Sequence, residues 1–313
     1  MLLAIVGTLG GLVLLTVAAE ALVVGAARLA AHWRVSTVVV GAVVIGFGTS
    51  APELVVSALA AARGSIDLAV GNVVGSNIAN LSLVLGAAAV VTPVAVQSPV
   101  LKREAPLSLL LVVAFAVAVQ GSMGVVEGAV LAALLAASLA VIVRSARQGD
   151  PTITAEVDAY VVGGRAEVRR EVVRAALGLV GTLGGAQLLV VSVTVVAEGF
   201  GLSEGFIGLT VVAVGTSLPE LATSLQAARR RETGLLVGNL LGSNLFNAGA
   251  VGATAAFTGA GQTTDPTIAG LGALAMVALA VLATAFMVTG RRVVRAEGIG
   301  LLLVYLAIVP LLA

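Results

Sequence analysis

Glu53 and Glu220 stand in the middle of long apolar stretches, and each ends the same short run of residues. One run is Gly48-Thr49-Ser50-Ala51-Pro52-Glu53; the other is Gly215-Thr216-Ser217-Leu218-Pro219-Glu220. Each is followed by Gly-Asn-x-x-Gly-Ser-Asn-x-x-Asn, which supplies Asn72, Ser76, Asn77 and Asn80, then Asn239, Ser243, Asn244 and Asn247. Residues 41–81 and 208–248 align without a gap at an offset of 167, and 20 of the 41 positions are identical. A carboxylate at a bilayer centre costs about 3 kcal/mol even on the lenient insertion scale, which disfavours a purely structural role for both glutamates. A duplicated acidic motif in helix-breaking sequence points instead to an intramembrane ion site.

The donors available are all oxygen. Pro52 and Pro219 lack a backbone N–H and disturb the preceding turn, which frees carbonyl groups. In hydrocarbon those carbonyls need another partner, and a desolvated cation is one. Thr49, Ser50, Thr216 and Ser217 add hydroxyls on the same turns. Asn72, Ser76 and Asn80 recur at i, i+4 and i+8, one stripe of a helix, as do Asn239, Ser243 and Asn247. Gly71, Gly75, Gly238 and Gly242 suit close helix approach. Cysteine is absent and His32 is the single histidine, which closes thiolate and histidine-rich metal sites. Hard cations such as Na+, Ca2+ or Mg2+ fit an oxygen set, and two carboxylates can neutralise one divalent ion. Mg2+ is the poorer fit, because it demands tighter octahedral geometry. Each hydroxyl can alternatively cap a broken helix or join two helices. Asn72, Asn77, Asn239 and Asn244 read as packing hydrogen bonds, whereas Asn80 and Asn247 suit either role.

Membrane helices must position these groups. The 313-residue chain is 59% hydrophobic and 11% charged, with mean hydropathy +1.13, the profile of an integral membrane protein. Charges and Gly/Pro clusters divide it into ten candidate spans: 2–28, 35–62, 68–93, 104–121, 125–143, 172–198, 205–228, 234–257, 267–289 and 297–312. The first is uncharged up to Glu20 and reads as a membrane helix rather than a cleaved signal. With both termini outside, Arg63 alone of the 17 basic residues falls away from the cytoplasmic face. Residues 1–144 and 172–313 then form two five-helix repeats, joined by a cytoplasmic linker at 145–171. Five is odd, so the second copy enters from the opposite side: an all-α, inverted-topology protein. In the linker, Asp150, Glu156 and Asp158 read as a solvated mixed-charge loop ahead of a regulatory ion site. Glu20 is a third carboxylate in an apolar span, with Gln187 at its repeat position. Glu198 and Glu204 flank an outer loop and read as solvated.

With both motifs present twice in inverted halves, the whole chain resembles the Ca2+/cation antiporter superfamily, in its prokaryotic sodium/calcium exchanger branch. The resemblance implies exchange of Ca2+ for Na+ by alternating access, with the first and sixth helices sliding over a core of eight. It implies that Glu53 and Glu220 are shared by Ca2+ and competing Na+, with Thr49 and Thr216 joining them around Ca2+. Ser50, Ser76, Ser217 and Ser243, with the carbonyls of Gly46 and Ala213, would complete flanking Na+ positions. Asn80 and Asn247 would line the middle. Archaeal members can carry Asp at the position of Asn247, so this chain has two central carboxylates where they have three. Two carboxylates offset one Ca2+ fully, whereas three Na+ would leave an excess positive charge. The proton/calcium branch has Gly-Asn-(Ala)-x-Glu where this chain keeps Gly-Thr-Ser-x-Pro-Glu, which favours Na+ over H+.

The expected activity is therefore secondary antiport of Ca2+ against Na+, with an H+/Ca2+ exchanger using the same glutamates as the alternative. A channel is disfavoured, because channels build rings by oligomerisation and this chain holds both half-sites. An intramembrane hydrolase is disfavoured too, since Ser50 and Ser217 have no histidine at motif distance. The expected protein is not an enzyme, needs no cofactor, and works as a monomer in the plasma membrane. Its partners are Ca2+, Na+ and the lipid bilayer, without nucleic acid.

Overall fold

A computed structural model describes residues 2–33, 35–64, 66–146, 168–199, 213–259, 261–262 and 265–312. Helices dominate, and the two motifs mark where they break. The first long helix, α1, runs Leu2–Trp33. Next, α2 (Thr37–Thr49) widens into a π-helical turn at Gly41–Gly46 and is followed by α3 (Ala51–Ala62), bent from it by 43°. Beyond it, α4 covers Ile66–Val91, with a second π turn at Asn80–Val84. The first half continues through β1 (Val94–Ala95), α5 (Ser98–Lys102), α6 (Glu104–Ala118), β2 (Ser122–Met123) and α7 (Val125–Ala146).

The second half repeats the order: α8 (Val168–Gly199), α9 (Ala213–Thr216), α10 (Leu218–Arg229) and α11 (Thr233–Phe246). A π turn at Asn247–Val251 leads into α12 (Gly252–Thr258). Then come β3 (Gly261–Gln262), α13 (Thr267–Gly290), β4 (Arg292–Val293) and α14 (Arg295–Leu312). Two short antiparallel ladders tie the halves together, β1 to β4 through Val94↔Val293 and β2 to β3 through Ser122↔Gln262.

Among the described residues five helices are long and apolar enough to cross a membrane, or up to six if the bent α2–α3 pair is one span. That is fewer than the ten spans expected from sequence. The other expected segments include helices too short or too interrupted to qualify alone: α6 has 15 residues and α10 has 12. Residues 205–212, which would open the seventh span, lie outside the described residues, as does most of the 145–171 linker with Asp150, Glu156 and Asp158. Glu204, Arg34, Arg147 and Arg165 also fall outside them.

At the centre sits α11, buried at every residue from Leu235 to Phe246. A helix buried all round belongs to the core, and here its polar side chains are buried with it. Its glycines let α2 lie against it backbone to backbone. A Cβ on Gly238 would come within 2.1 Å of the Val38 carbonyl oxygen, and one on Gly242 within 2.4 Å of that of Ala42. At the edge, α1 and α8 pack antiparallel in the most extensive helix pairing of the fold. Gly11 meets Leu189, Gly185 meets Leu15, Gly178 meets Leu22 and Gly25 meets Ala175. At its end Glu171, 2% exposed, pairs with Arg28 at 3.0 Å and Arg174 at 2.7 Å. The outer face of α1 leaves Leu2, Leu3, Val6, Leu9 and Val13 exposed, apolar surface that suits hydrocarbon surroundings.

Candidate cation-binding site

Both motif spans break at the same residue with the same geometry. Ser50 has φ −82° and ψ 7°; Ser217 has φ −89° and ψ 6°. A proline follows two residues later, in the first turn of α3 or α10, where its missing N–H costs no helical bond. That turn carries Glu53 or Glu220, and the positive end of the helix favours a carboxylate there. The two are 1% and 0% exposed.

Contacts then cross between copies. The Ser50 hydroxyl donates to Glu220 Oε1 at 3.2 Å. Ser243 Oγ lies 3.3 Å from the Gly46 carbonyl oxygen and 3.5 Å from Glu220 Oε1, so its proton has one acceptor in each copy. Asn80 Nδ2 donates to Asn244 Oδ1 at 3.0 Å. Ser76 stands beside the Glu53 carboxylate, outside hydrogen-bonding geometry, and Glu53 also feels the charge of Glu220. Thr49, also fully buried, lies between the Ile45 carbonyl, at 3.0 Å, and Asn239 Oδ1, at 3.3 Å.

Several buried oxygen atoms remain without a hydrogen-bond partner among the described residues. Within the two motifs they are both carboxylate oxygens of Glu53, Glu220 Oε2, Asn77 Oδ1, Asn80 Oδ1, Asn247 Oδ1 and Ser217 Oγ; Glu104 Oε2 and the side-chain nitrogens of Asn244 and Asn247 are likewise unpartnered. Leaving one buried polar atom unpaired costs about 1–3 kcal/mol, and more for a charged one. An oxygen-seeking cation satisfies such a set, and its two carboxylates match the charge of a divalent ion.

Glu53, Glu220, Thr49, Ser50, Ser76, Ser243, Asn80, Asn247, Ser217 and Gly46 are all buried. Thr216 ends α9 and is half-buried, and Ala213 opens that helix one turn earlier. Both Asn80 and Asn247 begin a π turn, a feature common at functional sites and invisible in residue spacing. Asn72 behaves as a packing residue, donating to the Glu53 carbonyl and the Ser57 hydroxyl, and Asn77 bonds back to the Val73 carbonyl. Asn244 and Asn239 also make packing hydrogen bonds, and theirs join the two copies, since each accepts from a residue of the opposite one. Their polar neighbours in the motif were the only sequence signal for this. Glu20 pairs with Arg230, which caps the end of α10.

A family model described as sodium/calcium exchanger protein matches residues 3–144 and, separately, residues 171–312. The chain belongs to the sodium/calcium exchanger family. It is 39% identical over 254 residues to the inner membrane protein YrbG of Escherichia coli, covering 79% of this chain and 77% of that one. It is 28% identical over 352 residues to the sodium/calcium exchanger MaX1 of Methanosarcina acetivorans, covering 96% of each. A solved structure of the sodium-calcium exchanger NCX_Mj superposes with a TM-score of 0.87 at 30% identity, covering 99% of this chain and 98% of that one. This exchanger-family chain is thus a multi-pass membrane protein of the cation antiporter class, a transporter rather than an enzyme.

Proposed function

We propose that the chain exchanges Ca2+ for Na+ by alternating access at the site around Glu53 and Glu220. The observation that carries this reading is the buried, unpartnered oxygen set drawn from both copies. In the proposal Ca2+ is held by the two carboxylates with the oxygens of Thr49 and Thr216. Ser50, Ser76, Ser217 and Ser243, with the carbonyls of Gly46 and Ala213, serve flanking Na+ positions, and Asn80 and Asn247 line the middle. The named activities of MaX1 and NCX_Mj support Na+ as the counter-ion. No further cofactor is needed, because the ions are themselves the cargo.

The proposed architecture is ten spans in two inverted repeats, 1–144 and 172–313, with both termini outside and the 145–171 linker cytoplasmic. Two observations support it. The repeat-related helices α1 and α8 run antiparallel, as inversion requires, and the family model matches each half separately. Both half-sites lie in one chain, which supports a working monomer in the plasma membrane.

The test is uptake of radioactive Ca2+ into proteoliposomes loaded with Na+, against K+-loaded and acid-loaded controls. Uptake is expected only with Na+ inside. Equal uptake driven by a proton gradient without Na+ would replace the reading with H+/Ca2+ exchange on the same glutamates.

A further inference from the structure

We propose that the Thr223 hydroxyl is a positioning group that makes the two halves of the cation site unequal and tunes its Thr49 side. The inference rests on the proposed reading of Glu220 and Thr49 as cation ligands. The copies agree at Asn72/Asn239 and at Ser57/Ser224 but differ at Val56/Thr223. In the first copy Asn72 Nδ2 donates directly to the Glu53 carbonyl at 3.1 Å and to Ser57 Oγ at 2.9 Å. In the second, the Thr223 hydroxyl takes that place, 2.7 Å from the Pro219 carbonyl oxygen and 3.1 Å from that of Glu220. Asn239 Nδ2 then donates to Thr223 Oγ1 at 3.1 Å and Ser224 Oγ at 3.2 Å. One hydroxyl stands between amide and glutamate carbonyl in this half, and none in the other.

The far end of Asn239 gives the difference a consequence. Its Oδ1 lies 3.3 Å from Thr49 Oγ1, in the opposite copy. The Thr49 hydroxyl has a single proton and several acceptors around it: Asn239 Oδ1, the Ile45 carbonyl at 3.0 Å, the Gly46 carbonyl at 3.5 Å and, beside them, the Glu220 carboxylate. A hydroxyl that ligates a cation must turn its proton away from the ion. With a cation bound, Asn239 would take that proton from the nearer Ile45 carbonyl and leave the Ile45 and Gly46 carbonyls unclaimed by it. Thr223, Asn239 and Thr49 are all buried, so the alignment falls to these side chains themselves. With valine at 223, Asn239 would fall back onto the Glu220 carbonyl, as Asn72 does onto Glu53, and release Thr49. In the proposed site Thr49 is a ligand of Ca2+ and not of the flanking Na+ positions, so its misalignment falls on Ca2+.

The experiment compares T223V and T223S full-length protein in proteoliposomes, measuring half-saturating Ca2+ and Na+ separately from the maximal rate. T223V is expected to raise half-saturating Ca2+ about fivefold, the loss of one well-placed hydrogen bond, and half-saturating Na+ by under about twofold. T223S, which keeps the hydroxyl, is expected to restore both. T223A stands in if T223V does not insert. An unchanged Ca2+-to-Na+ ratio without the hydroxyl, or a T223S protein that behaves like T223V, overturns the inference. E220Q is run alongside. Its loss of all exchange leaves the site reading standing whatever Thr223 does, whereas exchange that survives E220Q overturns the site reading itself.

Discussion

Glu53 and Glu220 can remain charged in a buried place only if positive charge joins them, and in the proposed reading a cation meets their unpartnered oxygens. Replacing either with glutamine removes half the charge that would balance Ca2+. Breaking one side of a buried charge pairing costs about 3–5 kcal/mol, more than a hundredfold in affinity. E53Q and E220Q are each expected to insert normally and to lose Na+-driven Ca2+ uptake in proteoliposomes; uptake near the unmutated rate in either would remove that residue from the site. Asn247 is neutral, so a Ca2+-loaded site balances its charge and a site with three Na+ carries an excess. Exchange at that ratio would move net charge. Measured current on Na+ addition to Ca2+-loaded vesicles checks it, and electrically silent exchange would point to two Na+ per Ca2+.

Helix packing sets how rigidly these residues are held. The breaks at Ser50 and Ser217 put each glutamate on a helix N-terminus, while glycines on α11 bring α2 close enough for Ser243 to reach the Gly46 carbonyl. A methyl group at Gly238 would press on the Val38 carbonyl oxygen, and backbone cannot yield as a side-chain tip can. G238A is expected to cost about 1–3 kcal/mol, as overpacking does, and to lower the thermal unfolding temperature in detergent. Gly10, exposed on α1 with nothing within 4 Å of where a methyl group would sit, is the control. G10A is expected to leave that temperature unchanged or raise it slightly, because alanine favours helix by about 1 kcal/mol over glycine. Equal losses in both variants would show that the α2–α11 approach has no special role.

Across the whole molecule, the α1–α8 pair holds itself together through glycine contacts and the Arg28–Glu171–Arg174 cluster. Among the described residues its polar ties to the helix carrying Glu220 run from Glu20 to Arg230 and from Gln226 Nε2 to the Thr16 carbonyl at 3.4 Å. Sliding of α1 and α8 as one body over the rest would break the second set and spare the first. The absence of native cysteine makes this directly testable. Bridging E20C to R230C with a short bifunctional thiol reagent is expected to stop exchange, and cleavage of the bridge to restore it. Bridging R28C to E171C is expected to leave exchange running. Loss of exchange in both, or in neither, would argue against that division of the moving parts.

The sequence alone carried the repeat, the break points and the oxygen-only chemistry, because proline, glycine and buried carboxylates impose local constraints that composition and spacing reveal. Glu53, Glu220, Ser50 and Ser243 were legible for that reason. Tertiary structure decided which oxygen faces which copy. Asn239 and Asn244 look like packing residues in a helical stripe, and only the crossing of α2, α4 and α11 turns them toward Thr49 and Asn80. The partner of Glu20 was equally out of reach of spacing, since Arg230 lies 210 residues away. Local sequence fixes what a residue can offer; the packing of distant helices fixes to whom it is offered, because burial leaves each polar atom a short choice of neighbours.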